Sequence, residues 1–208
     1  MMELHVFDFD GTLFKSPMPP PWWDGGSWFV QEISLDAPCV PERPGSDWWV
    51  SSVVSQARKS ASDPNVYAIV CTGRSAMLAN FRHRLPKMIQ SAGLRFDEVL
   101  LNPGGPTPNF KASVVDKFVN NGSITAVHMW DDDEKNLAAV GGACAVTGVP
   151  FFGHHVPEAR GEVECGPEAV IELINQGVLP NKILRKIRTA QDDMTQRVAA
   201  RWLGKVAR

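Results

Sequence analysis

Five short apolar runs, each stopped by turn-forming or polar residues, limit what this chain can fold into. They are LHVFDF (4–9), NVYAIV (65–70), FDEVLLN (96–102), ITAVHMW (124–130) and VPFFGHH (149–155). Short runs rich in β-branched and aromatic residues read as buried strands. Stretches with helical spacing lie between them. DWWVSSVVSQARKSA (47–61) has Asp47 placed as an N-cap, and MLANFRHRLPKMIQSAG (77–93) carries Pro86, expected to kink or restart the helix. NFKASVVDKFVNNG (109–122) ends in a glycine stop, and a short helix is expected from about 134 to 140. Strands alternating with helices predict an α/β fold with a central, mostly parallel five-stranded sheet and helices on both faces.

Two regions break the alternation. Residues 15–50 are rich in Pro and Gly, and this region holds five of the seven tryptophans: Trp22, Trp23, Trp28, Trp48 and Trp49. It reads as a small insertion after the first strand. Indole faces stack on nucleic-acid bases, but they also suit a satellite core beneath a Pro-rich loop, which is the expectation for most of them. From residue 181 the chain holds eight Lys or Arg against two Asp, with Ile183, Ile187, Met194, Val198 and Trp202 at near-helical spacing. This predicts a basic amphipathic helix, able to meet a phosphate backbone or to dock by its apolar side. The expected organisation is a sheet domain over 1–178 and a helical extension over 180–208.

A hydrophobic content of 44% supports a core, and a net charge of −2 neither requires nor excludes nucleic acid. Cys39, Cys71, Cys144 and Cys165 are scattered without a C-x-x-C pair, as free thiols in a reducing compartment would be. The start, MMELHVFDFD, lacks a signal-peptide pattern, and no apolar run approaches the roughly 20 residues of a membrane span. A soluble cytoplasmic protein is expected. His154 and His155 with Cys165 make a poor transition-metal set, short of a fourth ligand.

Polar clusters close the strands on the side where open α/β sheets bind ligands. They are DFDGT (8–12), CTGR (71–74), Lys111 and the acidic run DDDEKN (131–136). Adjacent carboxylates repel, and burying them unpaired is costly. If the first and fourth strands are neighbours, Asp8 and Asp10 face Asp131–Asp133, and such a set suits Mg²⁺. A carboxylate can attack phosphorus, and a second can move the protons. A hydroxyl, a lysine and a cation can hold charge on the phosphoryl oxygens. Asp8, Asp10, Thr72, Lys111 and Asp132 supply these parts, flanked by Gly11, Thr12, Gly73 and Arg74 as phosphate-binding candidates. Arg74 could meet either phosphate or an acid of the loop.

DFDGT, CTGR, the lysine and the acidic pair, in that order, resemble the four motifs of the haloacid dehalogenase (HAD) superfamily. The resemblance implies a Rossmann-like fold with the first strand between the second and fourth, and makes the insertion over 15–50 cap-like. It also implies Asp8 as nucleophile, Asp10 as general acid/base, and Mg²⁺ held by Asp8, the Asp10 carbonyl and one acid of the fourth motif. The spacing Asp131-Asp132-x-x-x-Asn136 assigns that acid as Asp132, with Asp133 the rival register. TLFKSPMPPPWW, the downstream WW, CTGR and FK are similar to the HAD domain of Swiss Army Knife RNA-repair-like proteins. They are similar also to polynucleotide 3′-phosphatase domains, which often carry Arg at the position of Asp133. The implied activity is Mg²⁺-dependent hydrolysis of a phosphomonoester, on a nucleic-acid end or a nucleotide. A small-metabolite phosphatase and a non-catalytic RNA- or protein-binding module are the alternatives.

Overall fold

The computed structural model describes residues 2–19, 28–161 and the single position 171. Trp22, Trp23, Cys165 and the basic segment 180–208 lie outside the described residues. One compact unit comprises Met1–Ser16 and Glu42–Gly161, while Pro17–Pro41 belongs to a second.

In the first unit the chain runs β1 (Met2–Phe7), α1 (Ser51–Ser62), β2 (Val66–Ser75), α2 (Ala79–Ser91), β3 (Glu98–Asn102), α3 (Thr107–Asn120), β4 (Ile124–Asp131), α4 (Glu134–Thr147) and β5 (Phe151–His155). The strands form one sheet in the order β3-β2-β1-β4-β5, and every pairing is parallel. The expected position of β1 between β2 and β4 is what the structure shows. Strand alternation sorts side chains to two faces. Leu4, Val6, Ile69, Cys71, Val127 and Met129 pack with Val114, Val115 and Val119 of α3 and Val140 and Cys144 of α4. His5 and Phe7 point the other way, His5 toward Ser60 of α1 and Phe7 onto Trp130, stacked at 4.5 Å between ring centroids.

Three local expectations change. Asp47 lies in a 3-10 turn, Ser46–Trp48, and α1 starts only at Ser51 after Val50, which provides no side-chain cap. Helix α2 runs unbroken through Pro86. Pro86 is exposed, whereas Phe81, Leu85, Met88 and Ile89 on the opposite stripe are buried, so packing of that stripe holds the helix despite the lost backbone bond. Helix α4 continues past Gly141 and Gly142 to Thr147 and ends at Gly148 with φ 73°, the left-handed stop.

The turn after β1 is locked by aromatic packing. Phe14 stacks on Trp48 and meets the edge of Trp49, and Trp49 packs against Phe9. In the second unit Trp28 is buried and its indole donates to the Pro17 carbonyl at 2.9 Å. The described tryptophans of the insertion region therefore pack in the way a satellite core requires. Among the described residues, no helix is long and apolar enough to cross a membrane.

Candidate active site

The carboxyl ends of β1 and β4 continue the apolar face of the sheet with acids. Asp8 follows Leu4 and Val6 at the strand period, and Asp131 follows Val127 and Met129. Lys111 does the same on α3, occupying a position on the buried stripe that Val114, Val115 and Val119 carry forward. Its Nζ donates to Asp8 Oδ1 at 2.5 Å and to Asp131 Oδ2 at 2.6 Å, and the lysine itself has no exposed surface. Burial alone would lower the proton affinity of Lys111, but Asp8 and Asp131 outweigh it and raise it. Burial pushes Asp8 well above the usual carboxylate range; Lys111 opposes this, and Asp131 and Asp10 add to it.

Asp131 Oδ1 accepts from Asn136 Nδ2 and from the Asp133 backbone N–H, both at 2.9 Å. Asp133 itself caps α4, accepting from the Lys135 N–H at 2.9 Å. Asp132 turns toward the β1 loop, where Thr12 Oγ1 donates to it at 3.1 Å. Gly11 has φ 79°, and a Cβ there would stand 2.5 Å from Asp132 Oδ2, so only glycine fits. Burial raises Asp132 above its ordinary range, against the Thr12 hydrogen bond.

Asp10 heads a second cluster. Arg74 Nε lies 3.1 and 3.0 Å from its two oxygens and Nη2 lies 2.6 Å from Oδ1. Ser16 Oγ donates to Asp10 at 2.5 Å and Thr72 Oγ1 at 3.3 Å. Burial alone would raise Asp10, but the Arg74 guanidinium outweighs it and holds the carboxyl below its ordinary range. Of the two partners open to Arg74, the structure shows the acid of the loop. Gly73 lies against Thr107, whose Oγ1 would be 2.8 Å from an added Cβ.

Asp8, Asp131 and Asp132 offer carboxylate oxygens within 4.8 Å of one another. Three hard oxygen donors at the mouth of the sheet fit Mg²⁺. Asp131 and Arg160 had no assigned role from sequence. Arg160 arrives on the segment after β5, which the Ala159 N–H pins to the Gly11 carbonyl at 3.0 Å, and its Nη2 lies 3.7 Å from Asp132 Oδ2. A positive charge thus stands beside the acidic pair although position 133 is Asp. No pattern around residue 160 announces this, since the approach depends on β5 pairing with β4.

The sequence family described as HAD domain family 1 in Swiss Army Knife RNA repair proteins matches residues 13–144. The chain belongs to this HAD family. The match begins just after the DFDGT turn and takes in Thr72, Lys111 and the Asp131–Asp132 pair. Among solved structures this HAD chain is similar to the HAD domain of effector protein Lem4 from Legionella pneumophila, at 13% identity and TM-score 0.49 over 84% of this chain and 94% of that one. It is similar also to a chain of a Pnkp1/Rnl/Hen1 complex, at 14% identity and TM-score 0.48, covering 74% of this chain and 47% of that one. A third is the haloacid dehalogenase-like hydrolase SP0104 from Streptococcus pneumoniae, at 12% identity and TM-score 0.39, over 74% and 94%.

Proposed function

We propose that the chain is a Mg²⁺-dependent phosphomonoester hydrolase working through an aspartyl-phosphate on Asp8. The observation that carries this reading is the buried Lys111 that bridges Asp8 and Asp131, with Asp10 in a separate hydrogen-bonded cluster nearby. Asp8 Oδ attacks phosphorus as the bond to the leaving oxygen breaks, and Asp10 gives that oxygen a proton. Asp10 then takes a proton from water, whose oxygen attacks phosphorus and releases Asp8 and inorganic phosphate. Lys111 fixes the Asp8 carboxylate in one orientation. Arg74 keeps Asp10 ionised at rest. A substrate arriving as the phosphomonoester monoanion draws Arg74 toward itself and passes its proton to Asp10, which hands it to the leaving oxygen. The proton taken from water in the second step goes to solvent when Arg74 returns. Thr72, Gly73, Gly11 and Thr12 shape the loops around the phosphate position.

Asp8 and Asp132, with the Asp10 carbonyl, are the proposed Mg²⁺ ligands, and Asp131 lies close enough to join them. When bound, Mg²⁺ supplies positive charge against the phosphoryl oxygens. The family description supports a nucleic-acid end, such as a 3′-phosphate, or a nucleotide as substrate. Arg160 beside Asp132 supports an anionic guest, whereas the described tryptophans pack against the protein and add nothing to base recognition.

The test is Mg²⁺-dependent phosphate release from a 3′-phosphorylated oligonucleotide, run against a panel of small phosphomonoesters. Asp8→Asn should abolish release from every substrate; an Asp8→Asn protein as active as wild type would end the hydrolase reading. Preference for a small ester would keep the chemistry and discard the nucleic-acid substrate.

A further inference from the structure

The sheet face turned toward α1 carries a second convergence of ligating groups, nearer the start of β1. Glu3 and His5 lie on β1, and His128 is paired with His5 on β4. One ligand atom from each lies within 4.8 Å of the others. Glu3 Oε2 is 3.2 Å from His5 Nε2 and 3.8 Å from His128 Nε2. Both imidazoles thus present the same nitrogen to one carboxylate.

Their other nitrogens are already engaged. His5 Nδ1 lies 2.7 Å from Ser60 Oγ. Ser60 Oγ is itself held by the Gln56 carbonyl at 3.1 Å. His5 Nε2 is left facing Glu3. His128 Nδ1 is held by His154 Nε2 at 3.1 Å. An imidazole nitrogen this close to a carboxylate oxygen needs a proton or a metal cation between them, and at these three groups the Nε2 atoms converge while the Nδ1 atoms are held from behind.

We propose that Glu3, His5 and His128 form a site for a borderline divalent cation, best Zn²⁺, that ties β1 to β4. Two imidazoles and one carboxylate suit zinc, whereas Mg²⁺ prefers oxygen donors alone. Ligands about 2.0–2.1 Å from a tetrahedral zinc stand roughly 3.3 Å from one another, close to the separations between Glu3 and the two rings. Ser60 and His154 orient the rings through their second nitrogens, as the outer partners of zinc-bound histidines do. Glu3 is about half exposed, with 47% of its side-chain surface accessible, which leaves the fourth position to water. Glu3 precedes Asp8 by five residues, about 16 Å along a strand. The ion is therefore a fastener remote from the phosphate chemistry, and the inference does not depend on that chemistry.

The experiment is calorimetric titration of the full chain with Zn²⁺ in excess Mg²⁺. It is accompanied by thermal unfolding and by ¹⁵N NMR of the imidazole nitrogens, which reads coordination at Nε2 without any substitution. Wild type should bind Zn²⁺, unfold at higher temperature with it, and shift Nε2 of His5 and His128. Glu3→Gln and His128→Gln, checked for folding by circular dichroism, should weaken binding by about a hundredfold, Ser60→Ala by about tenfold, and Asp132→Asn not at all. Unshifted Nε2 resonances at saturating Zn²⁺, or wild-type affinity in folded Glu3→Gln and His128→Gln, would overturn the site.

Discussion

Replacing Lys111 by Met tests whether the buried cation holds the acids of β1 and β4 together. Lys111 Nζ lies 2.5 Å from Asp8 and 2.6 Å from Asp131, with lysine and Asp131 wholly buried and Asp8 6% exposed. At an effective dielectric constant near 20, each pair attracts by about 6 kcal/mol, most of which offsets the desolvation of three charges. Removing the lysine leaves two carboxylates facing each other in a dry pocket. Losing one partner of a buried ion pair costs about 3–5 kcal/mol, a large share of the ~5–15 kcal/mol that holds a domain folded. Methionine fills nearly the same volume, so a cavity adds little. Urea unfolding followed by tryptophan fluorescence should show a midpoint lowered by about 1–5 M, given slopes of ~1–3 kcal/mol/M. Lys117→Met, on the exposed side of the same helix, should change stability by less than about 0.5 kcal/mol. Added Mg²⁺ should recover more stability in Lys111→Met than in wild type, because the carboxylates then lack their own cation. A Lys111→Met midpoint equal to that of Lys117→Met would refute the argument.

Gly11→Ala should destabilise by about 1–2 kcal/mol through its left-handed φ. It should also weaken Mg²⁺ binding by displacing Asp132, read as a raised Mg²⁺ requirement for phosphate release. Asp132→Asn should disturb the Mg²⁺ dependence of phosphate release far more than Asp133→Asn; equal effects would refute this register. Asp133→Ala should lower stability by about 1 kcal/mol through loss of the α4 cap. Tyr67, the sole tyrosine, donates to Glu98 at 2.8 Å, and this bond raises its phenol to about 12. The folded state then holds the proton more tightly, so the stabilisation is complete below about pH 10 and is lost as pH rises toward 12. Absorbance titration should find this value in wild type and a lower one in Glu98→Gln.

The order of elements was legible because apolar runs alternating with helical spacing leave few ways to bury both faces of a sheet. Lys111 was legible as well: it sits where an apolar residue should continue the stripe of Val114, Val115 and Val119, whereas Lys117 falls on the exposed side. The misread ends of α1 and α4 and the unbroken course of α2 share one cause. Local signals such as Asp47, Pro86 and Gly141-Gly142 were outweighed by packing that only the assembled fold provides. The Glu3, His5 and His128 cluster was hidden for a related reason. The pairing of His5 with His128 needs β1 and β4 in register, and 123 residues of chain separate them. Attention to His154 and His155 found one member of that face and missed its centre.

The acidic run then separates into three fates. Asp131 ends β4 on its buried side, so it meets Lys111 in the core. Asp132, one residue on, points across to the β1 loop, where Gly11 and Thr12 receive it. Asp133 follows where the chain turns into α4, and its carboxylate satisfies a backbone N–H that the first helical turn leaves without a partner. Like charges are tolerated in sequence because strand alternation and the start of a helix send them to different partners. Only Asp131 and Asp132 remain near Asp8, and their residual repulsion is what a divalent cation relieves. The number of adjacent acids is therefore a poor guide to the number of ligands, and the direction of each side chain is the better one.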